Sequence, residues 1–282
     1  MTTARQQDNA SERTAAEVRA LLVGTRFTSG LQHFASVGST NALLLEAAAG
    51  GAPQGTVYVA DEQTAGRGRG GHGWHSAPGE GLYVSALLRP TLRLQQALLL
   101  SLATGVAAAV AVRQVAGLAV DLRWPNDLML SRTDGSSRKC GGILVETAIG
   151  PPSEEGGEAA LRYAVVGIGI NVAHKRFPED LQGLATSLAI ESGREIARTP
   201  LLVALLRALD LELNQLEDGD VAGLFERFAA HSSWVRGKRV NVPEQGGYTG
   251  VTAGLDDRGF LRVDCNDGVA RTVLTGGVRE AA

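Results

Sequence analysis

The chain has 282 residues, 20% of them charged, and a formal net charge of −3. That length supports a sizeable core and about one to three domains, and the weak charge excludes a global basic field for holding nucleic acid. The two cysteines, Cys140 and Cys265, form no C-x-x-C pair, which argues against a zinc or disulfide framework and for a reducing, cytoplasmic compartment.

Taken in chain order, residues 1 to about 13 are polar, lack the apolar core of a signal peptide and are expected to be disordered. "TAAEVRALLVG" predicts a short helix. "LQHFASVGSTN" predicts a strand whose Ser39, Thr40 or Asn41 caps the helix "ALLLEAAAG", ended by Gly50 and Gly51. "GTVYVADEQ" and "GLYVSALLRP" read as strands on either side of a glycine-arginine loop. The uncharged run "LQQALLLSLATGVAAAVAV" approaches membrane-spanning length. Its glutamines, serine, threonine and dominant alanines make it a buried core helix over about 94–116, and no membrane association is expected.

Three further strands, "LRWPNDLML", "RKCGGILVETAI" and "LRYAVVGIGINV", have connections too short for parallel crossovers and predict an antiparallel meander. A helical stretch follows over about 199–232. From Trp234 onward, short strands alternate with the turns "EQGG", "DDRG" and "NDG", the pattern of a small closed barrel. The fold class is therefore α+β: a central mixed or antiparallel sheet with flanking helices, then a small C-terminal β-barrel. The expected division is 1–34 as an extension, 35–232 as the main domain and 233–282 as the β module.

The loop "TAGRGRGGHGW" (64–74) contains the G-x-G-x-x-G spacing at Gly66, Gly68 and Gly71. A dinucleotide-binding turn needs a strand running straight into the first glycine and a helix opening after the last. Here "DEQTA" intervenes, and "HGWHSAPGEG" cannot start a helix. No G-K-S or G-K-T exists for a Walker A loop, and the segment is too short for a disordered RGG tract. What remains is a surface loop or an anion cradle, in which Arg67 and Arg69 offer guanidinium forks beside backbone that can approach a ligand closely.

With "STN" (39–41), "EQTAGRGR…GW" (62–74), "RWPNDL" (123–128), "KCGGILVE" (139–146) and "VVGIGINV" (165–172) in register, the chain closely resembles biotin protein ligases over about residues 35–280. The resemblance implies an ATP-dependent enzyme with an SH3-like C-terminal module. It would condense biotin with ATP to biotinyl-5′-AMP, then pass the biotinyl group to a lysine of a biotin carboxyl carrier protein. It further implies that Lys139, Arg69 and Asp127 carry the chemistry, Lys139 touching both the biotin carboxylate and the α-phosphate. Ser39, Thr40, Asn41, Gln63, Arg67, Gly68, Arg69, Lys139, Gly141 and Gly142 would bind biotin. Trp74 would stack on adenine, with Asn126, Asn171 and Arg123 also at the nucleotide. Asp127 would either hold Mg²⁺ through water or orient a lysine amine.

Such chemistry needs no enzyme nucleophile, only cations that bring two anions together. About 35 residues precede "VGSTN", too few and too weakly basic for the DNA-binding domain that some relatives carry, so a ligase without nucleic-acid binding is expected. The resemblance is compatible with a homodimer. The competing readings are a lipoate or octanoate–protein ligase and a non-catalytic biotin- or adenylate-binding module.

Overall fold

The structure, a computed structural model, describes residues 15–28, 30–132, 135–150, 160–244 and 246–281. The expected disorder at residues 1–13 and the polar loop "PPSEEGGEA" lie outside them. A seven-stranded sheet forms the larger unit, in the order β1-β2-β3-β7-β6-β5-β4. Its strands are β1 (Gly30–Phe34), β2 (Thr56–Ala60), β3 (Gly81–Leu88), β4 (Asp121–Arg123), β5 (Asp127–Ser131), β6 (Ser137–Ile149) and β7 (Leu161–Asn171). β1 and β2 pair in parallel across helix α1 (Thr40–Ala49), and every other pair is antiparallel. The mixed sheet and the β5-β6-β7 meander match expectation.

Two sequence expectations divide. "LRWPNDLML" is two strands, because Pro125 cannot donate to a ladder and the chain reverses over Trp124–Asn126 so that Arg123 faces Asp127. The helical stretch after residue 198 is also two elements, α4 (Arg198–Glu217) and α5 (Val221–Ala230). They break at Gly219, whose φ of 88° is one that glycine adopts freely. A shorter helix, α3 (Leu188–Ser192), precedes them. The boundary expected between residues 34 and 35 falls at the end of β1. Residues 15–21 are helical, and Val18, Leu22 and Phe27 are fully buried, so residues 15–34 are built into the larger unit.

Each face of the sheet is covered differently. The apolar run read as a core helix is α2 (Ala97–Ala116); the stretch 94–116 is long and apolar enough to cross a membrane, but most of it is buried against the sheet, α4 and α5. Its alanines and Gly105 let Leu122 and Phe228 approach the helix backbone. On the other face, α1 covers Tyr58, Leu87, Tyr163 and Val165 through Leu44 and Ala48. Strand alternation sorts β7 accordingly: Ala164, Val166, Ile168 and Ile170 enter the larger core, while Val165 shares its face with Gly167 and Gly169.

The C-terminal unit contains β8 (Arg236–Val242), β9 (Tyr248–Leu255), β10 (Leu261–Cys265), β11 (Ala270–Val273) and β12 (Arg279–Glu280). They form a five-stranded antiparallel sheet ordered β11-β10-β9-β8-β12. The expected closed barrel is not found among the described residues. β12 is only two residues long and pairs with β8 alone, which leaves β11 as the opposite edge. The unit is fastened to the larger sheet where the indole Nε1 of Trp124 donates to the Gly259 carbonyl at 3.0 Å.

Candidate active site

Beyond the end of α1, the exposed face of the sheet is made shallow by glycine. Gly142 on β6 lies opposite Gly169 on β7, and Gly167 lies opposite Leu144. A Cβ at Gly167 would collide with the Asn41 amide, and one at Gly169 would lie 2.5 Å from Nε1 of Trp74. The glycines let one side chain from α1 and one from the loop lie directly on the sheet. Gly141 faces the other way: a Cβ there would meet Leu128 in the core at 2.6 Å, so Gly141 does not line the site. Gly167 and Gly169 were missed, although the strict alternation of "GIGIN" carried the signal.

Ser39 caps α1, accepting from the Ala42 amide, and this places Thr40 and Asn41 in the first turn facing the sheet. The Thr40 amide and hydroxyl donate to Gln63 Oε1 at 2.9 and 3.1 Å, and Gln63 Nε2 donates to Ser76 Oγ at 3.0 Å. The Ser85 hydroxyl, fully buried on β3, lies 2.8 Å from Thr40 Oγ1 and 2.6 Å from Asn41 Oδ1. The Asn41 amide donates to Glu146 at 3.0 Å, and the same carboxylate accepts from Arg67 at 2.6 Å. Ser76, Ser85 and Glu146 had no signal in the sequence, because only the fold brings them to Asn41 and Gln63. Ser39, Thr40, Asn41, Gln63 and Arg67 line a pocket of about 450 Å³ with Gly68, Trp74 and the glycine shelf, and Ser76, Ser85 and Glu146 hold them from behind.

The glycine-arginine loop is a small hairpin. Gly68 N donates to His72 O at 2.7 Å and Trp74 N to Gly66 O at 2.9 Å, with Gly70 and Gly71 at positive φ. The chain leaves it for β3 and not for a helix, which excludes the dinucleotide-binding turn. Arg67 is paired with Glu146 on the sheet, and Arg69 donates to the Gly276 carbonyl of the C-terminal unit. Trp74 lies on Gly169 and Gly142 with its Nε1 buried and unbonded. The indole is thus part of the first pocket's wall as well as a neighbour of the second cleft.

Lys139 owes its direction to a β-bulge. The β5–β6 register runs Asp127↔Gly142, Leu128↔Gly141, then Met129↔Lys139, leaving Cys140 as the extra residue. Cys140 is buried in the core, and Lys139 emerges on the face of Gly142 with its Nζ 5.5 Å from the Trp74 ring centroid. Nζ is paired with Asp127 Oδ1, and Arg123 holds Oδ2 through Nε at 3.0 Å. Burial by itself would raise the Asp127 carboxyl, but Lys139 and then Arg123 outweigh it and hold it below the ordinary range. Arg123 also lies over the Trp234 ring at 5.5 Å.

A second, larger cleft of about 1440 Å³ opens beyond Lys139. The loop, Arg123, Asn126 and Asp127 line one side, and Glu244 with residues 275–279 lines the other. Gly68, Arg69, Trp74, Asn126 and Lys139 border both spaces. The Asn126 amide donates to Ile143 O at 2.9 Å and holds the β4–β5 turn to β6. Asn171 lines neither cleft. It is buried and donates to the Thr186 carbonyl, pinning the chain after β7, so its expected place at the nucleotide is not where the fold puts it. The role of the C-terminal unit in the second cleft was also missed, since nothing in its turns announces a binding wall.

The comparisons with known proteins agree with this geometry. The sequence model of the biotin/lipoate A/B protein ligase family matches residues 33–171, and that of the biotin protein ligase C-terminal domain matches 236–278. The bifunctional ligase/repressor BirA of Bacillus subtilis is 33% identical over 238 residues, covering 83% of this chain and 69% of the relative. The biotin–[acetyl-CoA-carboxylase] ligase of Mycobacterium tuberculosis is 33% identical over 247 residues, covering 85% and 84%. Among solved structures, the biotin protein ligase from Aquifex aeolicus in complex with biotin and ATP superposes with a TM-score of 0.74 at 28% identity, over 90% of this chain and 100% of that one. These likenesses place the chain in the biotin/lipoate A/B protein ligase family, with a biotin protein ligase C-terminal domain.

Proposed function

We propose that the protein joins biotin to ATP as biotinyl-5′-AMP and then passes the biotinyl group to a lysine of a carboxyl carrier protein in the cytoplasm. The observation that carries this reading is the meeting of two clefts at two cations, Lys139 on the sheet and Arg69 on the loop. The smaller pocket ends in Ser39, Thr40, Asn41 and Gln63, neutral donors and acceptors suited to a ureido ring. A dithiolane ring would leave such groups nothing to bond, which favours biotin over lipoate. The larger cleft gathers Arg69, Arg123, Lys139 and Arg279, as a polyphosphate requires.

In the first step a carboxylate oxygen of biotin attacks the α-phosphorus, the bond to the bridging oxygen breaks, and pyrophosphate leaves with the electron pair. Lys139 meets both anions when it turns from Asp127, which stays charged and keeps Arg123 in place. In the second step the carrier's lysine nitrogen attacks the acyl carbon and AMP leaves. Asp127, held below the ordinary carboxylate range, orients cations and is a poor base. No acyl-enzyme forms at Cys140, whose thiol is fully buried and pushed up to about 12.

The residues do not fit a protein-held Mg²⁺. Among the described residues no three acidic, histidine or cysteine side chains gather, and both Asp127 oxygens are taken by cations. A Mg²⁺ ion would enter on the nucleotide's own phosphates.

The deciding experiment is ATP–pyrophosphate exchange with biotin or lipoate, followed by transfer of labelled biotin to a carrier domain. Biotin-dependent exchange and transfer are expected. Exchange with lipoate alone would make it a lipoate ligase, and biotin binding without exchange would make it a binding module.

A further inference from the structure

The nucleotide cleft has two walls. The wall on the larger unit brings Arg69, Arg123 and Lys139 to the phosphates, while the C-terminal wall brings Arg279 and one further charged side chain with no evident use. The described lining contains two carboxylates. Asp127 is saturated by Lys139 and Arg123. Glu244, which follows β8, is different: its Oε2 is buried and has no hydrogen-bond partner. Such an oxygen gives up its water without compensation unless a ligand supplies a donor.

Its position is also fixed. A Cβ at Gly276 would collide with the Glu244 carboxyl group, so glycine at 276 is what lets the carboxylate lie against that loop. The Gly276 carbonyl in turn accepts from Arg69. Glu244 therefore lies at the contact between the glycine-arginine loop and the C-terminal sheet, close enough to Arg69 for their charges to attract, while its Oε2 still lacks a hydrogen-bond donor.

Given ATP in this cleft, as proposed above, its neutral donors are the two ribose hydroxyls and the adenine amino group. A carboxylate facing a nucleoside is suited to the hydroxyls, because one anion can accept from both. We infer that Glu244 is the ribose acceptor of the nucleotide site, a binding residue that the C-terminal sheet contributes to the first half-reaction.

The test is biotin-dependent pyrophosphate exchange with ATP, 2′-deoxy-ATP and 3′-deoxy-ATP, comparing wild type with Glu244→Ala and the isosteric Glu244→Gln. Wild type should prefer ATP over a deoxy analogue by about tenfold or more, the scale of a hydrogen bond to a charged group. Glu244→Ala should raise KM for ATP by a similar factor, leave KM for biotin unchanged and abolish the preference, and Glu244→Gln should reduce it. A merely structural role would change all three nucleotides alike. Full discrimination retained in either variant overturns the assignment. So does unchanged exchange with slowed transfer to the carrier, which would make Glu244 a contact for the incoming lysine. Absence of exchange in wild type would instead overturn the functional reading itself.

Discussion

In the acid pocket, Thr40, Asn41, Ser76 and Ser85 are buried and, with Gln63, bonded to one another. Across Lys139, the nucleotide cleft sets Arg69, Arg123 and Asp127 around a much wider opening. A mostly neutral network, tied at Asn41 to the Arg67–Glu146 pair, holds its geometry without ligand, so it suits recognition of a fixed head group. Charges around an open cleft are screened by salt and gain strength only when a ligand excludes water, so they suit a reaction. On the proposed reading, the difference separates discrimination from chemistry along one sheet, with Lys139 and Arg69 at the border.

The strongest way to break that comparison is Lys139→Ala. Losing one cation at the reacting centre should slow adenylate formation by roughly 10²–10³-fold, with a smaller loss of biotin affinity. Single-turnover adenylation close to the wild-type rate would remove Lys139 from the chemistry.

The packing behind Trp74 adds a pH dependence of stability. Trp74 is followed by His75, whose ring lies 5.7 Å from that of His174, and His174 stacks on Phe177 at 4.9 Å. His174 is fully buried with neither ring nitrogen bonded, and Glu80 stands 3.8 Å away. Burial, then His75, lowers its pKa to about 4, opposed by the Glu80 backbone. Between pH 6.5 and 4 the unfolded chain binds a proton that the folded chain refuses, so stability falls as pH falls through that window. The full loss is about 3 kcal/mol. Denaturant unfolding at pH 7 and pH 5 should show about 2 kcal/mol of it in wild type and much less in His174→Phe; equal changes in the two would assign the dependence elsewhere.

A smaller effect should separate synthesis from retention. Arg69→Gly removes the cation that borders both clefts and reaches Gly276. A charge-assisted contact of about 1.5–3 kcal/mol corresponds to one or two powers of ten in adenylate release. Adenylation should survive better than retention, and a bystander protein ignored by wild type should become biotinylated. An unlabelled bystander, with adenylate held as long as in wild type, would show that Arg69 is not the clamp.

The finest test uses neighbouring strands. Gly167→Ala should weaken biotin binding by about 1–3 kcal/mol, because its methyl group would press on Asn41 within the pocket. Gly141→Ala, which presses on Leu128, should lower the melting temperature and leave biotin affinity nearly unchanged. Titration calorimetry with melting curves would show whether both substitutions act alike, in which case the two faces of the sheet are not independent.

Much of this was legible beforehand. The β-branched runs, the Ser39 cap and the alanine-rich α2 announced their elements through local propensity, and the ordered motifs named Lys139, Thr40, Asn41 and Gln63. Less legible was anything set by pairing or facing. The family resemblance put Asn171 at the nucleotide, but its side chain is spent on the Thr186 carbonyl. Gly141 and Gly142 looked equivalent, yet the bulge at Cys140 and the pleat send them to opposite faces.

The sequence by itself determined which residue types were available for joining two anions: a lysine before paired glycines, two arginines in a flexible loop, and hydroxyl and amide groups at a helix cap. Tertiary structure decided which of them converge. The β5–β6 bulge turned Lys139 out of the core, β3 and β6 brought Ser85 and Glu146 to Asn41, and the C-terminal sheet closed the second cleft with Glu244. The physical reason is that the direction of a strand side chain depends on register with its partner strands, and register is a property of the assembled sheet.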